Sequence, residues 1–383
     1  MIKKNKIALI ILIFIIGILT YTYYYLSKDS NTGPDMGTLI DKVIDEIKDE
    51  SDEANLVEVF AEGLDVPWSI AFLPNGDMLV TERKGTVRYI SKDGELQETP
   101  ISTVADVRQI GEGGLHGISL HPDFSSNNYV YFYFTYEGSG GNTMNRVVRY
   151  VFENGKLSFD KIIVDAIPGA SNHDGGRIKF GPDGFFYITT GDAQEPSLSQ
   201  NTDSLAGKII RVTDEGIAAP GNPFDNRVYS YGHRNPQGIS WDDDGLLWET
   251  EHGPSGIWPN CCQDELNKIE MGKNYGWPDF VGDQKKQDII SPVIHSNRDI
   301  WAPAGLAYLD GSLYFGGLRG EALYKYSIDN KKFETFFKEE FERIRDVILG
   351  PDNFLYITTS NRDGRGNPSS DDDKILKINP EKL

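Results

Sequence analysis

Cysteine is nearly absent: the 383 residues hold two, Cys261 and Cys262, and they are adjacent. No disulfide framework can tie distant parts of the chain, so stability has to come from packing. Positive charge is scarce too, with 38 Lys and Arg against 58 Asp and Glu and a formal net charge of −20. Such a field disfavours nucleic acid and anionic surfaces as partners, although a local cluster of arginines can still hold a small anion. A long apolar run occurs only near the start, and no small-x-small cleavage pattern follows it.

That run extends from Ile7 to about Leu26, behind Lys3, Lys4 and Lys6. Roughly 20 helical residues cross a hydrocarbon core of about 30 Å, and the lysines keep the N-terminal end in the cytoplasm. Tyr21, Tyr23, Tyr24 and Tyr25 suit an interfacial belt. Residues 1–27 therefore read as a single-pass transmembrane anchor in the cell membrane, with a cleaved signal peptide as the rival. Residues 28–54 are polar and acidic and read as a solvated linker. The globular part, 55–383, is then extracytoplasmic.

Six segments of this part share one pattern, beginning at Ile70, Ile118, Ile178, Ile239, Leu306 and Val347. Each is an apolar strand, a turn rich in Pro, Asn, Asp and Gly, and a second strand rich in β-branched and aromatic residues. They recur about 40–70 residues apart with no helical run between them, which predicts an all-β, six-bladed β-propeller. Propellers gather loops from successive blades around one mouth, so polar interblade loops are where chemistry is sought.

His173, in Ser171-Asn-His-Asp-Gly-Gly-Arg177, is a candidate general base, and Asp192 can return beside it across one hairpin. A loop histidine making a structural hydrogen bond fits the same residues. Arg234 and Asn235 lie in a tight loop, Tyr231 to Gly238, and offer forked donors for carboxylates or carbonyls. Glu251-His-Gly-Pro254, Asp264-Glu265 and Asn274-Tyr-Gly-Trp-Pro278 supply the oxygens calcium wants, or form a solvated acidic loop. Arg343 and Arg345, two apart on one strand, share a face and repel unless an anion lies between them. His116 and His121 read as sharing one strand face without flanking ligands, which argues against a metal there.

These motifs, taken in order over about residues 56 to 380, resemble the soluble quinoprotein glucose dehydrogenase and aldose sugar dehydrogenase family. The similar stretches are Gly113-Gly-Leu-His-Gly117, His121-Pro-Asp-Phe124, Asn172-His173, Gly176-Arg177, Gly191-Asp192 and Gly232-His-Arg-Asn-Pro-Gln-Gly238. They continue with His252-Gly-Pro254, Asp264-Glu-Leu-Asn267, Asn274-Tyr-Gly-Trp-Pro278 and Arg343-Ile-Arg-Asp-Val347. The resemblance implies oxidation of aldose sugars to lactones with pyrroloquinoline quinone (PQQ) and Ca2+, and an external electron acceptor.

On this resemblance, His173 takes the hydroxyl proton, Asp192 orients it, and Arg234 meets the quinone carbonyl region. Asn235 and His252 line the cofactor plane, and Arg319, Arg343 and Arg345 pair with its carboxylates. Carbonyls of Gly253 and Pro254 hold one calcium; Glu265 and the Tyr275 carbonyl hold a second. Glu112, where the best-known sugar oxidisers carry glutamine, and Asn172 face the sugar. The short loop Ile300–Gly305 implies a broad aldose range. An exported, non-catalytic sugar-binding propeller and a calcium-dependent lactonase are the alternatives from other classes. Cys261 and Cys262 read either as reduced thiols filling a gap or as a vicinal disulfide at the rim of the quinone pocket, covered by Trp258.

Overall fold

Twenty-four short strands in the described residues arrange themselves as six four-stranded antiparallel sheets. The computed structural model describes residues 56–256 and 261–383. The anchor and linker expected over 1–54 lie outside that range, and so does Trp258. Among the described residues no helix is long and apolar enough to cross a membrane.

Each repeat seen in the sequence becomes the first two strands of one blade. Blade one pairs Pro67–Phe72 with Met78–Glu82, and blade two pairs Leu115–Leu120 with Tyr129–Glu137. Ile178–Phe180 and Phe186–Thr190 open blade three, and Pro236–Trp241 and Leu247–Glu251 open blade four. Pro303–Leu309 with Ser312–Gly317, and Ile344–Leu349 with Leu355–Thr359, open blades five and six. The six residues that begin the repeats are all buried. Blade six takes its outermost strand, Val57–Ala61, from the start of the domain, paired with Ile375–Ile378 near the end. That pairing closes the ring through backbone hydrogen bonds.

Apolar side chains fill the six gaps between blades. Between blades five and six, for example, Leu323 meets Ile344, Val347, Leu355 and Leu376. Burying each such side chain stabilises by about 1.5–3 kcal/mol, which makes these layers the main source of cohesion.

The first strands carry a second, less visible feature. In blades one, two, four, five and six the register slips near the strand start. The slipped positions include Trp68, His116, Gln237 and Arg345. A bulge re-aims a side chain that regular alternation would send elsewhere, and all four of these line the same axial cavity. Gly117 sits in one such slip because a Cβ there would lie 2.4 Å from the Gly176 carbonyl of blade three.

Candidate active site at one mouth of the axial channel

The cavity these bulges feed holds about 580 Å³ and draws residues from every blade. Glu112, Asn172, His173, Arg234, His252, Gly253, Pro254, Arg319, Arg343 and Arg345 all line it, so the structure gathers most of the predicted residues. Asn235 is buried just beneath, where its Oδ1 accepts from Gly175 N at 3.1 Å.

His173 and Asp192 meet. His173 Nδ1 lies 2.7 Å from Asp192 Oδ1, and the imidazole is 19% exposed against 1% for the carboxylate. Gly191 allows the approach, since a Cβ there would stand 1.8 Å from the His173 carbonyl. Asp192 Oδ2 accepts from Trp277 Nε1 at 2.8 Å, and Oδ1 also accepts from Gln194 N at 2.8 Å. A carboxylate so fixed holds the imidazole tautomer and orientation. The remaining nitrogen, Nε2, is the one available for proton transfer.

The arginines are not equivalent. Arg343 gives Nε and Nη2 to Asp363 Oδ2, at 3.1 and 2.7 Å, and Nη1 to the Leu318 carbonyl. Asp363 thus supplies an anion of the protein's own beside Arg343. Arg345 donates to Gln237 Oε1 at 2.8 Å, and its Nε is buried without a partner. Burial pushes its pKa down to about 9, with Asp363 and Glu112 opposing, so it is charged at neutral pH. Arg234 is held by the His252 carbonyl and Ser255 Oγ, lies over the Trp277 ring and leaves Nε unpartnered. Arg319 is exposed at the rim.

Glu112 bridges the mouth, accepting from Arg365 Nη1 at 2.8 Å, with the His173 N–H 3.5 Å away. Burial alone would raise its pKa, but His252, Arg365 and Arg345 outweigh it and hold the group near about 2. His252 Nε2 donates to the Pro303 carbonyl at 2.9 Å, and burial lowers its pKa to about 4. Asn172 holds Ser171 Oγ at 3.2 Å.

His116 and His121 lie on one face, against Tyr133 and Tyr131, which are two apart on the neighbouring strand. The bulge turns His116 into the channel, stacked between Trp68 and Tyr133 at 4.9 and 5.9 Å, while His121 lies beyond the strand end near Asp214. Burial drives the His116 pKa down to about 3.

The four groups assigned to calcium converge on one small void of about 10 Å³, which Glu251 and Trp277 also line. The Pro254 carbonyl accepts from Cys262 N at 2.8 Å, and Gly253 N donates to Asp264 Oδ1 at 2.9 Å. Glu265 accepts from Gly282 N and Asn267 Nδ2, and burial raises its pKa to about 8. Cys261 and Cys262 form a disulfide, are buried, and line the large cavity, so of the two readings the bonded one is found.

A model of the glucose/sorbosone dehydrogenase family matches residues 64–370. The chain belongs to this family. An aldose sugar dehydrogenase of Escherichia coli (strain K12) is 32% identical over 360 residues, spanning 85% of this chain and 92% of the relative. The PQQ-bound aldose sugar dehydrogenase of Streptomyces coelicolor superposes with a TM-score of 0.78 at 39% identity, covering 84% of this chain and 97% of that one. The quinoprotein glucose dehydrogenase B of Acinetobacter calcoaceticus is 28% identical over 59% of this chain and 52% of its own length.

The glucose/sorbosone dehydrogenase mouth also contains residues that sequence reasoning passed over. Trp68, Gln237, Gln194 and Arg365 line it, and Asp363 and Trp277 hold its charged groups. Trp277 was visible in the Asn274–Pro278 motif, but nothing in that motif points to Asp192. Trp68 and Gln237 reach the channel through bulges, which no local pattern announces.

Proposed function

We propose that this chain oxidises aldose sugars at the anomeric carbon to lactones, using PQQ and calcium and passing electrons to an external acceptor. It does so from the outer side of the cell membrane, to which residues 1–27 anchor it. The observation that carries the reading is the His173–Asp192 pair opening onto a cavity whose buried Arg345 has no carboxylate partner among the described residues. The relatives' names support the same chemistry.

The donor set suits a planar tricarboxylate. Arg345 Nε, Arg234 Nε and Asn235 Nδ2 are buried and unpartnered, and donors left so carry a penalty that a bound anion removes. Arg319, Arg343 and Arg345 would meet its carboxylates, and Arg234, Asn235 and His252 its ring system. The carbonyls of Gly253 and Pro254 would hold one calcium, and Glu265 with the Tyr275 carbonyl a second, with oxygen ligands throughout. When bound, the quinone supplies an electrophilic carbon that accepts hydride.

The remaining work falls to side chains of this protein. His173 Nε2 takes the proton of the anomeric hydroxyl as the C–H bond gives up its electron pair, leaving the lactone carbonyl. Asp192, fixed by Trp277 and Gln194, stabilises the imidazolium. Glu112, ionised at any working pH, accepts hydrogen bonds from sugar hydroxyls, and Asn172 can both donate and accept. A lactonase would need no arginine cluster to bind a tricarboxylate, and this mouth carries Arg234, Arg319, Arg343 and Arg345.

The test is dye reduction across a panel of aldoses, with PQQ and calcium added to the purified protein. Turnover of several aldoses that disappears without the quinone is expected. No reduction with any aldose at saturating quinone and calcium would contradict the proposal.

A further inference from the structure

The side of blade four that faces blade three buries charge for which sugar oxidation has no use. Glu249 and Glu251 lie two apart on the strand Leu247–Glu251 and share a face. Asn267 and Glu265 are their cross-strand partners. His233, from the loop that precedes the blade, brings Nδ1 to 3.8 Å from Glu251 Oε1. None of these side chains is more than a few per cent exposed.

His233, Glu249 and Glu251 each offer one ligand atom, and these atoms lie within 4.8 Å of one another. The imidazole is fixed by Ser230 Oγ, 2.8 Å from Nε2, and by stacking on Tyr275 at 4.7 Å. A hydroxyl that accepts from Nε2–H leaves the Nδ1 lone pair free to bind a cation. Three buried atoms here have no partner: His233 Nδ1, Glu249 Oε1 and Asn267 Oδ1. The charged groups around Glu249 are Glu251 and Glu265, both acids. A buried carboxylate normally has a cation or a full set of donors beside it, and Glu249 has one donor, Asn267 Nδ2 at 3.1 Å.

We infer that His233, Glu249 and Glu251 bind a divalent cation of the zinc and manganese class, at a position adjoining the calcium groups proposed above but held by its own imidazole and carboxylate set. An imidazole with two carboxylates is a donor set for borderline first-row ions, whereas calcium takes oxygen alone. Asn267 Oδ1 is available as a further oxygen. The ion ties blade four to the loop carrying Arg234, whose N–H rests on Glu251 Oε2 at 2.8 Å. This inference does not rest on the sugar-oxidising reading.

The full chain, stripped with a chelator and titrated with zinc or manganese alone, tests it by metal counting and by anomalous diffraction at the metal edge. One ion per chain at the cluster is expected. Glu249→Gln should weaken zinc binding at least about tenfold, leave calcium content unchanged, and lose the zinc-dependent rise in melting midpoint. The anomalous map of the unaltered protein decides the matter even if the variant misfolds. No zinc or manganese peak at the cluster, or equal zinc affinity in Glu249→Gln, overturns the inference. Calcium filling the cluster in preference to zinc overturns it as well, and leaves the sugar-oxidising function standing.

Discussion

Arg177 and Arg345 lie against the same indole, with their guanidinium carbons 4.4 and 5.6 Å from the Trp68 ring, yet they serve different regions of the channel. Arg345 lines the large mouth, and Arg177 lines a second cavity of about 200 Å³ further along the first strands. Arg177 is paired with Asp346 at 3.0 Å and also bonds Ser69 Oγ and the Gln237 carbonyl. Lys179 beside it is held by the carbonyls of Ile239 and Leu306. Each arginine keeps one nitrogen without a partner, so the carboxylate is what separates them. One region has its charge answered from within the fold; the other presents charge that awaits a ligand.

The sharpest way to break this contrast is to remove the charge at each place. Arg177→Met leaves Asp346 buried and unpaired and should cost about 3–5 kcal/mol of stability. Arg345→Met removes a charge that has no carboxylate beside it and should leave stability unchanged or raise it. Denaturant midpoints of the two variants measure this, and similar losses in both would erase the distinction.

The next largest effect belongs to the mouth alone. His173→Ala should cut turnover by about 10²-fold or more while quinone affinity stays put. Wild-type turnover at saturating cofactor would remove His173 from the chemistry.

An effect spread thinly over pH concerns the histidine buried between the two regions. His116 has a folded pKa near about 3 against an ordinary 6.5. The unfolded chain takes up a proton that the folded chain refuses, so stability falls as pH drops below about 6.5 and goes on falling towards 3. The slope from this one group is at most about 1.4 kcal/mol per pH unit. His116→Phe should flatten the acid limb of a stability–pH curve, and an unchanged limb would assign the loss to other groups.

Much of this architecture was legible in the sequence because its signals are local. The turns after Ile70, Ile178 and Val347 carry Pro, Asn, Asp and Gly, and the strands around them alternate, so both blade number and strand pairing could be read. His173 and Asp192 are separated by one hairpin, which made their meeting legible too. What stayed hidden depends on contacts and bulges that no local pattern announces. Asp363 reaches Arg343 from a loop after the next strand, and the bulges that expose Trp68, Gln237 and Arg345 leave no pattern in the chain. Glu249 drew no notice in the sequence, and burial against blade three is what makes it unusual.

The most direct test of the central claim, that the arginine-lined mouth is the quinone site, is a calorimetric titration with PQQ in the presence of calcium. Wild type, Arg345→Met and a control substitution at exposed Arg298 would be compared. Saturable binding by wild type and the control is predicted, with Arg345→Met weaker by about ten- to a hundredfold, the loss of one charge-assisted contact of about 1.5–3 kcal/mol. Equal quinone affinity in wild type and Arg345→Met, or no saturable binding by wild type, would contradict it.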